Sequence, residues 1–137
     1  MQSWKKARLL CKAVFDLANM SAFADDYSLK DQIKRSSGSV MDNIAEGFDR
    51  GTSKEFRRFL FIAKGSLSEV KSQLYRALDQ IYINQEDFEH AFSLATETGK
   101  LLGGLIKYLE TKIDSNSLNE EELEYGLKQT DIPLTIN

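Results

Sequence analysis

Apolar residues recur at alternating steps of three and four along most of this chain, which is the spacing of one face of an α-helix. The longest uninterrupted series consists of Phe56, Leu60, Ala63, Leu67, Val70, Leu74, Ala77 and Ile81. This series is a heptad seam sustained for more than three repeats. It predicts a helix over residues 53–81, about 43 Å long at a rise of about 1.5 Å per residue.

Three further segments repeat the pattern and predict three more helices. The first covers residues 3–20, with Trp4, Ala7, Cys11, Val14 and Ala18 facing inward and Leu10, Phe15 and Leu17 widening that face. The second lies between Ser28 and Gly51, with Leu29, Ile33, Ser37, Val40, Ile44 and Gly47 inward. The last starts at Asn84 to Asp87 and reaches Lys112, with Phe88, Phe92, Ala95, Gly99, Leu102, Ile106 and Leu109 inward. Residues 21–27 break the pattern and predict a loop.

Capping residues predict where two of these helices begin and end. Ser28 is an acceptable N-cap, with Asp31 three residues later. Gly51 stands where a left-handed C-cap residue is expected. Thr52 and Glu55 have the spacing of a capping box at the start of the next helix.

Four helices joined by short connections predict an all-α, antiparallel, up-down-up-down four-helix bundle. Folding the chain back at Gly51 pairs positions whose numbers sum to about 103, so that Ile44 lies near Leu60. The same rule places Gly38 opposite Gly65, beside Ser37, Ser39 and Ser66. Small residues at one height let two backbones approach closely, so we expect a large residue at Gly38 or Gly65 to push these helices apart.

Phe59, Phe61 and Ile62 lie partly off the main seam, so the start of the third predicted helix is apolar on more than one face. A surplus apolar face on a small bundle predicts a second contact surface, between subunits.

Composition restricts the class of protein. With 137 residues, 42% of them hydrophobic and 28% charged, the chain is expected to be one soluble globular domain. The lone cysteine, Cys11, excludes an internal disulfide framework and fits a reducing cytoplasm. Lys5, Lys6, Arg8 and Lys12 interrupt any apolar signal core, and no run of eighteen apolar residues predicts a membrane span.

Charge is polarised along the predicted bundle although the formal net charge is only -3. One end collects Lys5, Lys6, Arg8, Lys12, Arg50, Lys54, Arg57, Arg58, Lys107 and Lys112. The opposite end carries Asp16, Asp25, Asp26, Asp31, Asp79, Glu86, Asp87 and Glu89. A basic end of this kind is typical of a surface that contacts a polyanion.

The helix dipole explains only part of this polarity. Arg50, Lys107 and Lys112 are predicted at helix C-termini, where cations are favoured. Lys5, Lys6, Lys54, Arg57 and Arg58 are predicted near helix N-termini, where cations are disfavoured. Phosphate binding is one explanation, because cations beside free helix N–H groups form an anion site. Ion pairs with Glu46, Asp49, Glu55 or a neighbouring subunit are the alternative, and the sequence leaves both open. The candidate nucleic-acid-binding residues are therefore Lys5, Lys6, Arg8, Arg50, Lys54, Arg57 and Arg58.

Asn43 and Glu46 flank inward positions and are expected to hydrogen-bond across the hairpin, with Arg57 or Ser53 as partners. Gly47 is expected to make room opposite Phe56.

No residue set predicts catalysis or a cofactor. His90 has no histidine or cysteine at metal-ligand spacing, so no metal site is predicted. Cys11 is interpreted as a small core residue. Gly99 and Gly103 have a GxxxG-like spacing, next to Gly104, which indicates close packing against a helix or a subunit. A nucleophile with a histidine base, a phosphate loop and a nucleotide fingerprint are all missing.

Four segments together resemble a known family. They are Gln32-Ile33-Lys34-Arg35-Ser36-Ser37, Asn43-Ile44-Ala45-Glu46-Gly47, Ser53-Lys54-Glu55-Phe56, and Phe59-Leu60 with Ala63-Lys64-Gly65-Ser66. They look like the motif series of the bacterial four-helix-bundle proteins known as 23S rRNA intervening-sequence proteins or S23 ribosomal proteins. The resemblance covers about residues 4–112. It implies an antiparallel four-helix bundle that assembles into a homo-oligomeric ring, commonly a pentamer. A related protein, the accessory variability determinant of diversity-generating retroelements, binds nucleic acid and a reverse transcriptase through a basic surface.

The predicted bundle covers residues 1–112, and residues 113–137 form an acidic tail outside the resemblance. Glu120, Glu121, Glu122, Glu124 and Asp131 are opposed only by Lys128, with a short helix predicted around residues 120–128. Because the last bundle helix ends at the basic end, the tail could cover that end and compete with RNA; a solubilising tail is the alternative. The leading hypothesis is non-catalytic binding of RNA or a ribonucleoprotein. The alternative is a protein-interaction scaffold with no nucleic-acid role.

Overall fold

A computed structural model describes residues 1–115, which contain five α-helices and no strand. The helices are α1 (Gln2–Ala18), α2 (Ser21–Asp25), α3 (Tyr27–Asp49), α4 (Ser53–Asp79) and α5 (Gln85–Ser115). The four long helices pack as α1 against α3 and α5, and α4 against α3 and α5. This arrangement confirms the all-helical prediction and is that of a four-helix bundle with one additional short helix. The predicted helix around residues 120–128 lies outside the described residues.

The segment predicted as a loop contains the one-turn helix α2. Phe23 is fully buried there and stacks on Tyr82 with 5.6 Å between ring centroids. α3 then begins at Tyr27 with Asp26 as its N-cap, whose carboxylate accepts from the Leu29 backbone N–H at 3.0 Å. The prediction of Ser28 as the cap was wrong. Asp26 takes this position because its second carboxylate oxygen also accepts from the Tyr82 hydroxyl at 2.9 Å.

The turn between α3 and α4 matches the sequence prediction. Gly51 has a φ of 86°, the left-handed conformation that glycine adopts without a steric penalty. Thr52 caps α4, since its hydroxyl oxygen accepts from the Glu55 backbone N–H at 3.2 Å. The carboxylate of Glu55, in the first turn of α4, accepts a hydrogen bond from Arg58 Nε.

The last predicted seam position of α4 was wrong. The helix ends at Asp79, and Ile81 adopts a φ of 60° with its side chain 86% exposed. The Tyr82 N–H donates to the Ala77 carbonyl and turns the chain, and Ile83 enters the core instead. The repeat of apolar positions continues through Ile81 because it depends only on the spacing of residues along the sequence. It does not show where the backbone leaves the helix.

The inward positions of α3 are all buried, as predicted. In α1, Leu10 is fully buried whereas Cys11 is half-buried, so Cys11 lies at the edge of the core. Its thiol lies 3.8 Å from the Ser37 hydroxyl. Asn84 caps α5 as predicted, accepting from the Asp87 N–H at 2.7 Å.

α3 and α4 run antiparallel in nearly the predicted register, and Ser39 and Ser66 meet at 2.8 Å between their hydroxyls. The expected close approach of Gly38 and Gly65 does not occur, because a Cβ at either position would meet no atom within 4 Å. These glycines lie beside the contact line, which the adjacent serines occupy. The close approach occurs at Gly47, where a Cβ would lie 2.6 Å from Phe59 Cβ and 3.1 Å from Phe56 Cδ1. The prediction that Gly47 makes room opposite Phe56 is thus confirmed.

Among residues 1–115, no helix combines the length and the apolar character needed to cross a membrane.

Candidate nucleic-acid interface

The predicted cations fall into two groups. Arg50, Lys54, Arg57 and Arg58, here called the turn group, surround the α3–α4 turn. Lys5, Lys6 and Arg8, here called the helix-1 group, lie in the first two turns of α1. Arg57 reaches Glu110 on α5 at 3.9 Å, and Lys6 reaches Glu97 on α5 at 2.9 Å. Glu97 and Glu110 are thirteen residues apart in sequence, about 20 Å along the helix. The helix-1 group therefore lies nearer the middle of the bundle than the sequence prediction placed it.

The ring of Phe59 packs against two of the four turn-group cations. The guanidinium carbon of Arg58 lies 4.4 Å from the ring centroid of Phe59, and that of Arg50 lies 5.1 Å from it. Both distances are within the range of a cation–π interaction. The ring itself is only 8% exposed, so it supports the two side chains from beneath. Gly47 makes this possible, since any larger residue there would collide with Phe59.

Carboxylates hold the same two arginines from the side. Arg50 Nε donates to Glu46 at 3.0 Å, and Arg58 Nε donates to Glu55 at 2.8 Å. The Arg58 hydrogen bond, together with the charges of Arg58 and Arg50, lowers the pKa of Glu55. The same hydrogen bond raises the pKa of Arg58. Both guanidinium groups therefore have defined positions at the surface of the turn.

The remaining cations differ in their degree of pairing. Lys54 and Lys5 are exposed and have no carboxylate partner among residues 1–115. Arg8 lies 6.0 Å from the Trp4 ring centroid and has no ion pair within the described part of the chain. Ion pairing therefore accounts for Lys6, Arg57 and Arg58, and phosphate binding at Lys5 and Lys54 stays a prediction. Within the described residues, Lys6, Arg50, Arg57 and Arg58 are ion-paired, and Lys5, Arg8 and Lys54 are not.

The predicted hydrogen bonds of Asn43 and Glu46 across the hairpin were wrong. Asn43 donates within its own helix to the Ser39 carbonyl at 2.8 Å and to the Ser39 hydroxyl at 2.9 Å. Glu46 binds Arg50 one turn later. Side-chain hydrogen bonds between α3 and α4 are made instead by the Ser39 and Ser66 hydroxyls, by Ser36 with Gln73, and by Arg76 with Gln32.

Sequence reasoning missed the role of Phe59. Its position off the main seam was visible, but the apolar pattern of α4 gives no signal that Arg50 from the preceding helix packs on it. The tertiary fold brings Arg50 and Arg58 to one ring.

Within residues 1–115, no three His, Cys, Asp or Glu side chains are grouped so as to hold a metal ion. Burial raises the pKa of the Cys11 thiol, opposed in part by its contact with Ser37, so this cysteine is a poor nucleophile at neutral pH. Of the GxxxG-like glycines, Gly99 would place a Cβ 3.3 Å from Leu67, whereas Gly103 and Gly104 face open space.

Comparison with known proteins points to one family. The sequence profile of the 23S rRNA-intervening sequence proteins matches residues 1–104. A crystal structure of a protein of unknown function from the S23 ribosomal protein family of Bacteroides thetaiotaomicron VPI-5482 superimposes with a TM-score of 0.70. The two sequences are 24% identical, and the match covers 77% of this chain and 98% of that chain, which establishes a common fold. No protein with curated annotation matches the chain.

Proposed function

Because the chain belongs to the 23S rRNA-intervening sequence protein family, we propose that it is a non-catalytic protein that binds structured RNA or a ribonucleoprotein. The contact is made by the turn group and extended by the helix-1 group. The observation that carries this proposal is the pair of guanidinium groups, Arg50 and Arg58, held on one buried ring beside Lys54, which has no carboxylate partner among residues 1–115.

The existing ion pairs do not prevent phosphate binding. The Arg50–Glu46 and Arg58–Glu55 pairs are both about half-exposed, and such surface pairs stabilise a protein by only about 0–1 kcal/mol. A phosphate can replace or join the carboxylate with charge-assisted hydrogen bonds to the planar guanidinium. Lys54 and Lys5 contribute charge without breaking any pair. Neutralised phosphates release counterions, so the affinity should fall steeply with salt.

We further propose that the protein works as a homo-oligomeric ring, with the pentamer taken from the family resemblance. The support is that Phe61 and Ile62, adjacent on α4, are 50% and 41% exposed. Exposed apolar neighbours of this size are typical of a subunit contact. A ring would repeat the turn group on every subunit and raise the avidity for a polyanion. Light scattering coupled to size exclusion tests this, and a Phe61→Ser/Ile62→Ser double variant should shift the mass toward the monomer.

Fluorescence anisotropy with a labelled structured RNA tests the binding. We expect binding at low salt, with log affinity falling linearly against log salt concentration. An Arg57→Glu/Arg58→Glu variant should abolish it. Lys30→Glu, at the acidic end of α3, is the control for loss of positive charge and should retain most of the affinity. Equal losses in the two variants would contradict a localised contact at the turn.

The alternative is a scaffold whose basic end contacts an acidic protein. It is favoured by the ion pairs that already satisfy Lys6, Arg50, Arg57 and Arg58. In that case the wild-type protein would show no affinity for RNA even at low salt. The binding assay above therefore separates the two functions directly.

A further inference from the structure

A polar groove runs between α3 and α4, away from the basic end. Its volume is about 410 Å³, and its lining consists of Gln32, Arg35, Ser36, Ser39, Ser66, Glu69 and Gln73. We call it the serine groove. Gln73 is sixteen residues beyond Arg57 on α4, about 24 Å along the helix. The serine groove is therefore separate from the turn group.

The floor of the groove is a built hydrogen-bond network. Ser36 and Gln73 are 6% and 8% exposed, and the Ser36 hydroxyl donates to Gln73 Oε1 at 2.5 Å. One turn along, the Ser39 and Ser66 hydroxyls are 2.8 Å apart, and Asn43 donates to Ser39. Burying polar groups between two helices that are otherwise joined by an apolar seam costs free energy compared with leucine or alanine. The network fixes the orientation of the Gln73 amide.

Two groups at the groove have hydrogen-bonding capacity left over. The Gln73 Nε2 group, on a side chain more than nine-tenths buried, has no partner among residues 1–115, and it lines the groove. Glu69 also lines the groove and has no cation partner within the described residues. Glu69 and Gln73 are one helical turn apart on the same face of α4, so an acceptor carboxylate stands beside a fixed amide donor.

The neighbouring Glu69 acceptor and Gln73 donor favour a ligand that presents donors and acceptors in one particular order along its edge. A group that fits it must offer one acceptor, for Gln73, beside two parallel donors, for the two oxygens of Glu69. The Watson–Crick edge of guanine has this order, with O6 followed by N1–H and N2–H. The corresponding edges of adenine, cytosine and uracil do not offer one acceptor followed by two donors.

Arg35 completes the site from the opposite wall. It lies on α3, is 79% exposed at its side chain, and within residues 1–115 is paired only with Asp31 on its own helix. Its planar guanidinium offers a surface on which a base can stack. We propose that the serine groove binds a guanine base, held at its edge by Glu69 and Gln73 and at its face by Arg35. The proposal goes beyond the phosphate contact at the turn and does not depend on it.

Chemical-shift mapping on the full-length, isotope-labelled protein tests the site. The probes are the 5′-monophosphates of guanosine, adenosine, cytidine, uridine and inosine, with inorganic phosphate as a blank. GMP should shift the signals of Ser36, Ser66 and the Gln73 side-chain amide, with an affinity about tenfold above the other three standard nucleotides. Inosine monophosphate, which lacks the N2 amino group, should bind more weakly than GMP. Addition of a single-stranded RNA with or without guanine then distinguishes a free nucleotide from a base presented on RNA.

Glu69→Gln keeps the size of the side chain and removes one of its two pure acceptors. It should weaken GMP binding about tenfold, whereas Asp42→Asn, an exposed acid of α3 outside the groove, should leave binding unchanged. Two results would overturn the proposal. One is equal groove shifts with all nucleotides, and the other is shifts confined to the turn group with GMP and phosphate alike. Shifts confined to the turn group would refute guanine binding in the groove but leave the proposed RNA binding at the turn intact. Conversely, GMP binding in the groove by a protein with no RNA affinity at the turn would refute only the proposed function.

Discussion

Replacing Gly47 by alanine tests the closest contact between α3 and α4. The added Cβ would lie 2.6 Å from Phe59 Cβ and 3.3 Å from the Phe56 carbonyl oxygen. Carbon atoms in ordinary contact are about 3.5–4.0 Å apart, so the helices must separate locally by about 1 Å. Phe59 Cβ is fixed to its backbone, and a change of rotamer cannot move it away.

The magnitude follows from two opposing effects. Alanine in a helix interior is favoured over glycine by about 0.5–1 kcal/mol. Overpacking of a well-packed contact costs about 1–3 kcal/mol. We expect a net loss of about 1–2 kcal/mol for Gly47→Ala. Gly38→Ala is the matched control on the same helix, because its Cβ would meet nothing within 4 Å. It should stabilise the protein by about 0.5–1 kcal/mol.

Denaturant unfolding followed by circular dichroism measures the free energy of unfolding of both variants. The protein concentration is kept the same, because the stability of an oligomer depends on its concentration. The two midpoints should move in opposite directions, with a difference of about 1.5–3 kcal/mol between the variants. Equal stability of Gly47→Ala and Gly38→Ala would refute the close approach. A stable Gly47→Ala protein that binds RNA as the wild type does would also refute the role of Gly47 in seating Phe59.

Three other changes test separate parts of the molecule. Phe59→Leu removes the ring beneath Arg50 and Arg58 and should weaken RNA binding about threefold to tenfold. Phe56→Leu, a change at the other ring that packs at Gly47, should leave RNA binding unchanged. Equal losses of RNA affinity in the two variants, measured by fluorescence anisotropy, would point to packing alone. Hydrogen bonds from the Leu29 N–H and the Tyr82 hydroxyl lower the pKa of Asp26 from its ordinary 3.8, so its contribution to stability is present above that value and is lost as pH falls through the lower folded pKa. The wild type should therefore be more stable than Asp26→Asn near neutral pH. The unfolding midpoints of the two proteins should converge as the pH is lowered from about 5. A difference that stays constant with pH would contradict this. Ile81→Gly should stabilise the protein by about 1 kcal/mol by relieving a left-handed β-branched residue. Lys64→Gly, at an exposed position inside α4, should instead cost about 1 kcal/mol. Thermal unfolding of the two variants decides, and a destabilised Ile81→Gly would count against strain at this turn.

The turn between α3 and α4 was predictable from sequence because every element of it is local. Gly51 supplies a left-handed residue, Thr52 caps the next helix, and the repeat of apolar positions identifies the buried face of each helix. The cations of the turn group were identified for the same reason, since their positions relative to helix ends can be read from the chain. The same local reasoning failed at Ile81 and Asp26, where the segment around Tyr82 packs against the distant segment around Asp26, through the Asp26–Tyr82 hydrogen bond and the stacking of Phe23 on Tyr82.

The sequence by itself determined the four long helices, their main buried faces and the gathering of the turn-group cations around the α3–α4 turn. Only the tertiary structure decided which side chains share a partner. It placed Arg50 and Arg58 on Phe59, excluded the expected close approach at Gly38 and Gly65, and joined Ser36 to Gln73 across the serine groove. The physical reason is that helix formation depends on neighbours three and four residues apart. Contacts between helices depend instead on rotation and axial offset, which a repeat of apolar positions fixes only to within a few residues.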